Sequence, residues 1–548
     1  MAEFDYPSVD FQTHPDRYVH WKLQCDGPVA TLTMQIQEDK PLWNGRYDLK
    51  LNSYDLGVDI ELNDAVTRLR FEHPEVRSVV VTGGYDKVFC AGANIRMLGM
   101  SPHAFKVNFC KYTNETRCMI EESSEAAGQV FIAALNGTAS GGGYELALAC
   151  EHILLIDDGN AAVSLPEVPL LGVLPGTGGL TRLTDKRKVR RDIADVFCTK
   201  AEGFRARDAK KFRLIDASYP RSKWAAGVQS YASEVATEAA AAAPKSGAAV
   251  ALPALDITHS DDGWSYGSVS VRVEGRIAHL TMSGPSDAPS RSADTWGLRA
   301  FRELEDALLR LRLNHLDVGL LIIKTEGEQS AVLEHEAWLA DQVANSGDFF
   351  FAEVKRYQSR VLRKVDNMAK SVFALVEEGH CFVGTLYEIV LAADRSYMFM
   401  DDDGENSLRL TSANFGAFPM AAGCTRLENR FPGEPELVEK AREAIGEDIE
   451  AEDVFEEYGL VTASLDDIDY EDEVRIAVEE RVSLSPDALT GMEQNLRFGG
   501  TESAENKIYG RLSAWQNWIF QRPNAVGQRG ALTLYGQPER PVFDFRRT

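Results

Sequence analysis

The chain has 548 residues, 44% of them apolar and 26% charged, which is a globular composition with room for roughly three or four domains of about 150 residues. Lys+Arg number 58 against 84 Asp+Glu, a formal net charge of −26, so most of the surface would repel nucleic acid or any other polyanion. The charge is unevenly spread: residues 434–480 carry 19 acidic side chains against 3 basic ones, whereas Arg182, Lys186, Arg187, Lys188, Arg190 and Arg191 crowd around one acid, Asp185.

Met1-Ala2-Glu3-Phe4-Asp5 lacks the basic-then-apolar pattern of a signal peptide, and no stretch approaches about 18 uninterrupted apolar residues. Both features predict a cytoplasmic protein with no membrane span. The eight cysteines (25, 90, 110, 118, 150, 198, 381 and 424) form no Cys-x-x-Cys pair, and the ten histidines form no His-x-x-x-His pair. Reduced thiols and the absence of a structural metal are therefore expected.

Val29–Met34 alternates as a strand should, Glu61–Arg70 places apolar residues 62, 65, 66 and 69 at helical spacing, and Arg77–Thr82 is a β-branched run. Strand, helix and strand in that order predict α/β layers. Val88-Phe89-Cys90-Ala91-Gly92-Ala93-Asn94-Ile95 follows as a turn of small residues, and Phe105–Tyr112, with Cys110, reads as a helix. After a strand at Phe131–Leu135 comes Asn136-Gly137-Thr138-Ala139-Ser140-Gly141-Gly142-Gly143-Tyr144-Glu145, with a helix predicted to open near Tyr144. Bare backbone N–H groups at a helix N-terminus attract negative charge, although the same glycines would equally suit a tight turn. Neither a dinucleotide fingerprint nor a phosphate-binding Gly-x-x-x-x-Gly-Lys-Ser/Thr loop is present. Ser164–Gly176 brings Glu167, then Gly178-Gly179 and Thr181-Arg182-Leu183. The basic run Lys186–Arg191 is either a solvated helix face or a phosphate contact.

The chain also repeats itself. Asp26–Met34 returns as Glu274–Met282 at an offset of 248, and Leu171–Pro175 with Gly179–Leu183 returns as Phe415–Pro419 with Gly423–Leu427 at an offset of 244. Two matches in one order favour a duplication. The second copy keeps Gly379, Gly384 and Glu388, has Thr411 where Glu167 would repeat, and lacks an Ala-Gly-Ala turn. The expected organisation is a first domain over 1–235, an Ala/Pro linker over 236–255, a degenerate second copy over 256–484 and a helical C-terminal region over 485–548. Ser485-Pro486 is a helix start, and Ile508, Leu512, Trp515 and Ile519 form a stripe suited to core or a subunit interface.

Taken in this order, residues 18 to about 220 resemble the crotonase (enoyl-CoA hydratase/isomerase) superfamily. The resemblance implies a ββα spiral fold, here duplicated, and an acyl-CoA thioester as substrate. It also implies an oxyanion hole from the N–H groups of Ala93 and Gly142, and catalytic carboxylates at Glu145 and Glu167. Ala91, Gly92, Asn94 and Gly141 would adjoin the substrate, and Cys110 lies on the helix that lines the acyl pocket, as a candidate base if its pKa were lowered or as an inert buried thiol. No cofactor is implied beyond the coenzyme A carried by the substrate. A doubled chain of this size, with the tail segment Gln521–Leu532, is similar to the benzoyl-CoA-dihydrodiol lyase family. That family's reaction converts 2,3-epoxybenzoyl-CoA and water to 3,4-dehydroadipyl-CoA semialdehyde and formate in aerobic benzoate breakdown. A hydratase or hydrolase for another acyl-CoA and a non-catalytic CoA-binding scaffold stay open as alternatives, and a homodimer closed by the helical tail with Trp515 and Ile519 is expected.

Overall fold

The computed structural model describes residues 7–401 and 406–548, so the N-terminal segment in which a leader was sought lies outside it. The chain divides into two compact units, Met1–Ala254 with Gly347–Glu353, and Leu255–Ser346 with Val354–Thr548. Among the described residues no helix is long and apolar enough to cross a membrane.

The first unit is wound from repeated strand–strand–helix turns. Its strands are β1 (Trp21–Asp26), β2 (Val29–Met34), β3 (Ser78–Gly83), β4 (Lys87–Cys90), β5 (Val130–Leu135), β6 (Gly137–Ser140), β7 (His152–Asp157), β8 (Ala162–Ser164), β9 (Phe204–Arg205) and β10 (Ala217–Pro220). One sheet runs β1-β2-β3-β5-β7-β10, parallel after the antiparallel hairpin β1/β2, and a second runs β4-β6-β8-β9. Thus β3, β5 and β7 each hand the chain to a short strand of the second sheet before a helix follows, which is the spiral that the family resemblance implies. The helices are α1 (Leu56–Glu72), α2 (Ile95–Met100), α3 (His103–Glu125), α4 (Gly142–Ala149), α5 (Gly179–Asp185), α6 (Arg191–Thr199), α7 (Ala206–Lys211) and α8 (Trp224–Ala242).

Local sequence accounts for these elements. The Asp55 carboxylate accepts from the Val58 N–H and so caps α1, and the predicted apolar face of Leu62, Ala65, Val66 and Leu69 is buried. The central strand β5 is buried from Phe131 to Leu135, as parallel strands covered on both faces should be. Ala232, Val235 and Ala236 of α8 pack on Val29, Val80, Ile132 and Leu154 of the first sheet. The start of the Ala-rich segment at 236 is therefore the end of a helix in the core, with extended chain only after Ala242.

The second unit repeats the large sheet: β11 (Thr258–His259), β12 (Gly263–Ser265), β13 (Val269–Glu274), β14 (Ile277–Ser283), β15 (Leu320–Glu326), β16 (Ser371–Val376), β17 (Arg395–Phe399) and, last in the sheet, Ala463–Leu465. Its second sheet has worn down to the pair Ser407–Leu408 and Ile449–Glu450, with one isolated bridge between Val383 and Arg409. After β15 the chain passes directly into the helix Gln329–Asn345, where the first unit places β4 and the Ala91–Ala93 turn. The tail stripe divides. Trp515 and Ile519 turn inward onto Gly491, where an added Cβ would come within 2.9 Å of Ile519 Cδ1, whereas Ile508 and Leu512 face solvent.

Candidate active site

Two segments converge on the N-terminus of α4. The first follows β4. Ala91 N–H donates to the Leu51 carbonyl (3.2 Å), Tyr54 N–H to the Gly92 carbonyl (3.0 Å) and Asn94 N–H to the Tyr54 carbonyl (2.8 Å). Tyr54 is thus bridged to the residues on either side of Ala93, which turns the Ala93 N–H away from it. Gly92 sits at φ +94°, and a Cβ there would lie 2.8 Å from the Gly142 nitrogen, so only glycine lets this turn close on α4. Asn94 was expected at the substrate, but its side chain has other work. Its Oδ1 accepts from Met97 N–H (2.9 Å) to cap α2, and its Nδ2 donates to the Asp48 carbonyl (2.8 Å) and Ser53 Oγ (3.1 Å).

The second segment is the triple glycine. α4 begins at Gly142, two residues before the predicted start, with Gly141 as N-cap at φ +54°, ψ −130°. Gly142 N–H is the first of the helix and so has no intrahelical acceptor. Glu145, in the first turn, is held at both oxygens: Gly179 N–H donates to Oε1 (2.8 Å) and the Thr177 hydroxyl to Oε2. A Cβ on Gly179 would fall 2.7 Å from Glu145 Cγ, so the second glycine of Gly178-Gly179 is what allows this approach.

Glu167 opens a short π-turn, Glu167–Leu171, and is 8% exposed. Its Oε1 lies 2.8 Å from where a Gly141 Cβ would stand, and its Oε2 is buried without a hydrogen-bond partner among the described residues. Burial and, second, the charge of Glu145 push its carboxyl up to about 7. The structure therefore brings Glu145, Glu167, Gly141, Gly142 and the Gly92 turn to one place, with Glu167 close to half-protonated at neutral pH. In the segment that follows it, Leu170, Val173 and Leu174 expose apolar side chains.

Cys110 lies on α3, half-buried, and burial followed by the Glu145 charge pushes its thiol up to about 11. That is the opposite of the lowering a thiolate base requires. Part of the basic run is tied into structure: Lys186 donates to the Ala149 carbonyl (3.0 Å) and Arg187 pairs with Asp216 (2.9 Å), as does the nearby Arg182 with Glu121 (2.7 Å). Residues 186–190 form the turn between α5 and α6 rather than a helix face, and Lys188, Arg190 and Arg191 are exposed. Two residues with no flag in the sequence stand directly behind the site. Arg117, wholly buried, donates to Tyr54 Oη (2.9 Å) and to the Gly142 carbonyl (3.0 Å). Among the described residues, no group of three or more His, Cys, Asp or Glu is placed to hold a metal.

The corresponding positions of the second unit are closed from within. Glu388, at the place of Glu145, is paired with Arg426 (2.8 Å) and accepts from Asn414 Nδ2 (2.9 Å). Thr411, at the place of Glu167, serves as a helix cap, its Oγ1 accepting from Ala413 N–H (3.2 Å). Thr385, at the place of Gly142, donates its N–H to the carboxylate of Glu336 (2.5 Å), and its hydroxyl goes to the same oxygen. A carboxylate of the chain itself thus takes up the N–H that corresponds to that of Gly142.

Residues 48–256 match the enoyl-CoA hydratase/isomerase family. A benzoyl-CoA-dihydrodiol lyase of Aromatoleum evansii is 51% identical over 549 residues, covering 98% of each chain. Among solved structures, an enoyl-CoA hydratase of Geobacillus kaustophilus is 31% identical, covering 40% of this chain and 75% of its own, with a TM-score of 0.35. One from Bacillus anthracis is 26% identical, covering 40% and 77%, with a TM-score of 0.34.

Proposed function

The chain belongs to the benzoyl-CoA-dihydrodiol lyase family, and from that premise we propose that it cleaves the ring of 2,3-epoxybenzoyl-CoA with two molecules of water, releasing 3,4-dehydroadipyl-CoA semialdehyde and formate. The observation that carries the reading at the level of residues is Glu167, buried beside Glu145 with one oxygen unpartnered and its carboxyl at about 7. Such a group can give and take a proton at neutral pH with little driving force lost either way. Glu145, aimed by Thr177 and Gly179, is the second carboxylate. Together they activate water and move protons as the ring C–C bond breaks.

Ala93 and Gly142 N–H groups receive the thioester oxygen as negative charge collects on it, and the positive end of α4 adds to the pair. The apolar side chains in the segment after Glu167 suit an aromatic acyl group. Coenzyme A arrives with the substrate and no other cofactor is used. The same reading places the enzyme in the cytoplasm, where CoA thioesters are made and consumed. It is a homodimer closed by the exposed tail side chains Ile508, Tyr509, Leu512 and Phe520.

Incubating the purified protein with 2,3-epoxybenzoyl-CoA and, separately, with crotonyl-CoA tests the activity. Formate from the first and no hydration of the second is the expected outcome. Hydration of crotonyl-CoA without formate from the epoxide would replace the lyase by a hydratase.

A further inference from the structure

The two oxyanion donors come from segments far apart in sequence, one after β4 and one at the start of α4, and their separation must be held to a fraction of an ångström for both to reach one oxygen. One side chain touches both segments. Through its backbone Tyr54 grips the turn on either side of Ala93, taking the Asn94 N–H (2.8 Å) and donating to the Gly92 carbonyl (3.0 Å). Its hydroxyl reaches the other segment so closely that a Cβ on Gly142 would fall 2.2 Å from Oη. The ring is fixed on two sides, by Phe109 at 6.2 Å between centroids and by the Arg117 guanidinium at 5.5 Å.

Arg117 completes the connection. One Nη2 donates to both Tyr54 Oη (2.9 Å) and the Gly142 carbonyl (3.0 Å), and Nη1 reaches the Thr177 carbonyl (3.4 Å), next to the hydroxyl that holds Glu145. A guanidinium has the planar spread of donors to hold three acceptors, which an ammonium lacks. Its charge is supported by Glu145 and Asp59, and Asp59 is itself fixed by the Thr113 hydroxyl.

We propose that Tyr54 and Arg117 are positioning residues that act as a clamp, setting the distance between the Ala93 and Gly142 N–H groups. The proposal rests on the assignment of those two groups as the oxyanion donors. Tyr54→Phe keeps the ring and removes only the hydroxyl contact. Arg117→Lys keeps the charge and removes the fork.

The test combines kinetics with difference infrared spectra of benzoyl-CoA, labelled with ¹³C at the thioester carbonyl and bound to the full-length protein. The parent should lower the carbonyl stretch relative to free benzoyl-CoA. Tyr54→Phe should lose most of that lowering and about 100-fold in kcat, with KM for 2,3-epoxybenzoyl-CoA changed by less than about threefold. Arg117→Lys should move in the same direction. A Tyr54→Phe protein that keeps the lowered stretch and a kcat within about threefold of the parent overturns the clamp. A parent that shows no lowering at all overturns the oxyanion assignment instead, so the two failures are told apart. Because a phenylalanine fills the same space, Tyr54→Phe reports even where Arg117→Lys does not fold.

Discussion

Glu167→Gln should silence the enzyme and stabilise the protein at once, the second effect only as the pH rises. The Glu167 carboxyl stands at about 7 against an ordinary 4.5, because burial and then the Glu145 charge oppose its ionisation. Below the ordinary value it is protonated in folded and unfolded chains alike, so the side chain carries no ionic penalty. As pH climbs towards 7 the unfolded chain ionises freely and the folded chain resists, so stability is lost, and above about 7 the loss is complete. At about 1.4 kcal/mol for each unit of pH, the interval from 4.5 to about 7 corresponds to about 3 kcal/mol. Residual solvent screening at the mouth of the site brings this to about 1–2 kcal/mol. Glutamine carries no charge, so whatever its amide costs is independent of pH. With the first unit as the melting body, the difference between variant and parent melting temperatures should therefore grow in favour of the variant by about 2–4 °C between pH 5 and pH 8. Scanning calorimetry at the two pH values measures it, with formate release from 2,3-epoxybenzoyl-CoA followed at pH 7. A melting difference that stays constant would refute the buried-charge argument, and near-normal kcat would remove Glu167 from proton transfer.

Gly142→Ala places a Cβ 2.2 Å from a hydroxyl that Arg117 holds in place, so α4 must shift, and kcat should fall by about 100-fold while the fold survives. Unchanged kcat in that variant would show that the N-terminus of α4 is not at the reacting oxygen. Cys110→Ala should release formate within about threefold of the parent rate, because a thiol at about 11 is a poor base, and a loss beyond about 100-fold would restore it as a participant. Calorimetric titration with benzoyl-CoA should find one site per chain, given the pairing of Glu388 with Arg426 and of Glu336 with Thr385. Two equivalent sites would show the second unit to be functional.

Local patterns made the α/β layers legible: β-branched runs for strands and apolar residues at helical spacing between them. The spiral and the two carboxylates came through the family resemblance, which the glycine turns and the glutamates near them carried. Gly141 and Gly92 were legible as members of small-residue turns, and each takes a positive φ that side chains rarely adopt. Tyr54 and Arg117 were not, since a tyrosine and an arginine inside ordinary segments carry no local signal, and their meaning comes from contacts spanning 63 and 25 residues. Asn94 shows the opposite case, a polar residue beside the site whose side chain is taken up as a helix cap. The basic run near Lys186 was ambiguous by charge alone. Its partners Glu121 and Asp216 lie on distant segments, and only the fold brings them to it. Glu336 had no counterpart in the first copy from which to read it, since it stands on the helix that replaced the Ala91–Ala93 turn.

That last substitution has a consequence for the history of the chain. A carboxylate tethered within hydrogen-bonding distance of Thr385 competes at an effective concentration that no free thioester in a cell can match. Restoring a glutamate at Thr411 would therefore change nothing by itself, because Glu336 would still fill the nest and Arg426 would still neutralise Glu388. Each reverting step is without benefit until the others are made, so the duplicated half has passed a ratchet. A second unit closed in this way would draw none of the cell's CoA thioesters into unproductive complexes, which is what one site per chain would report.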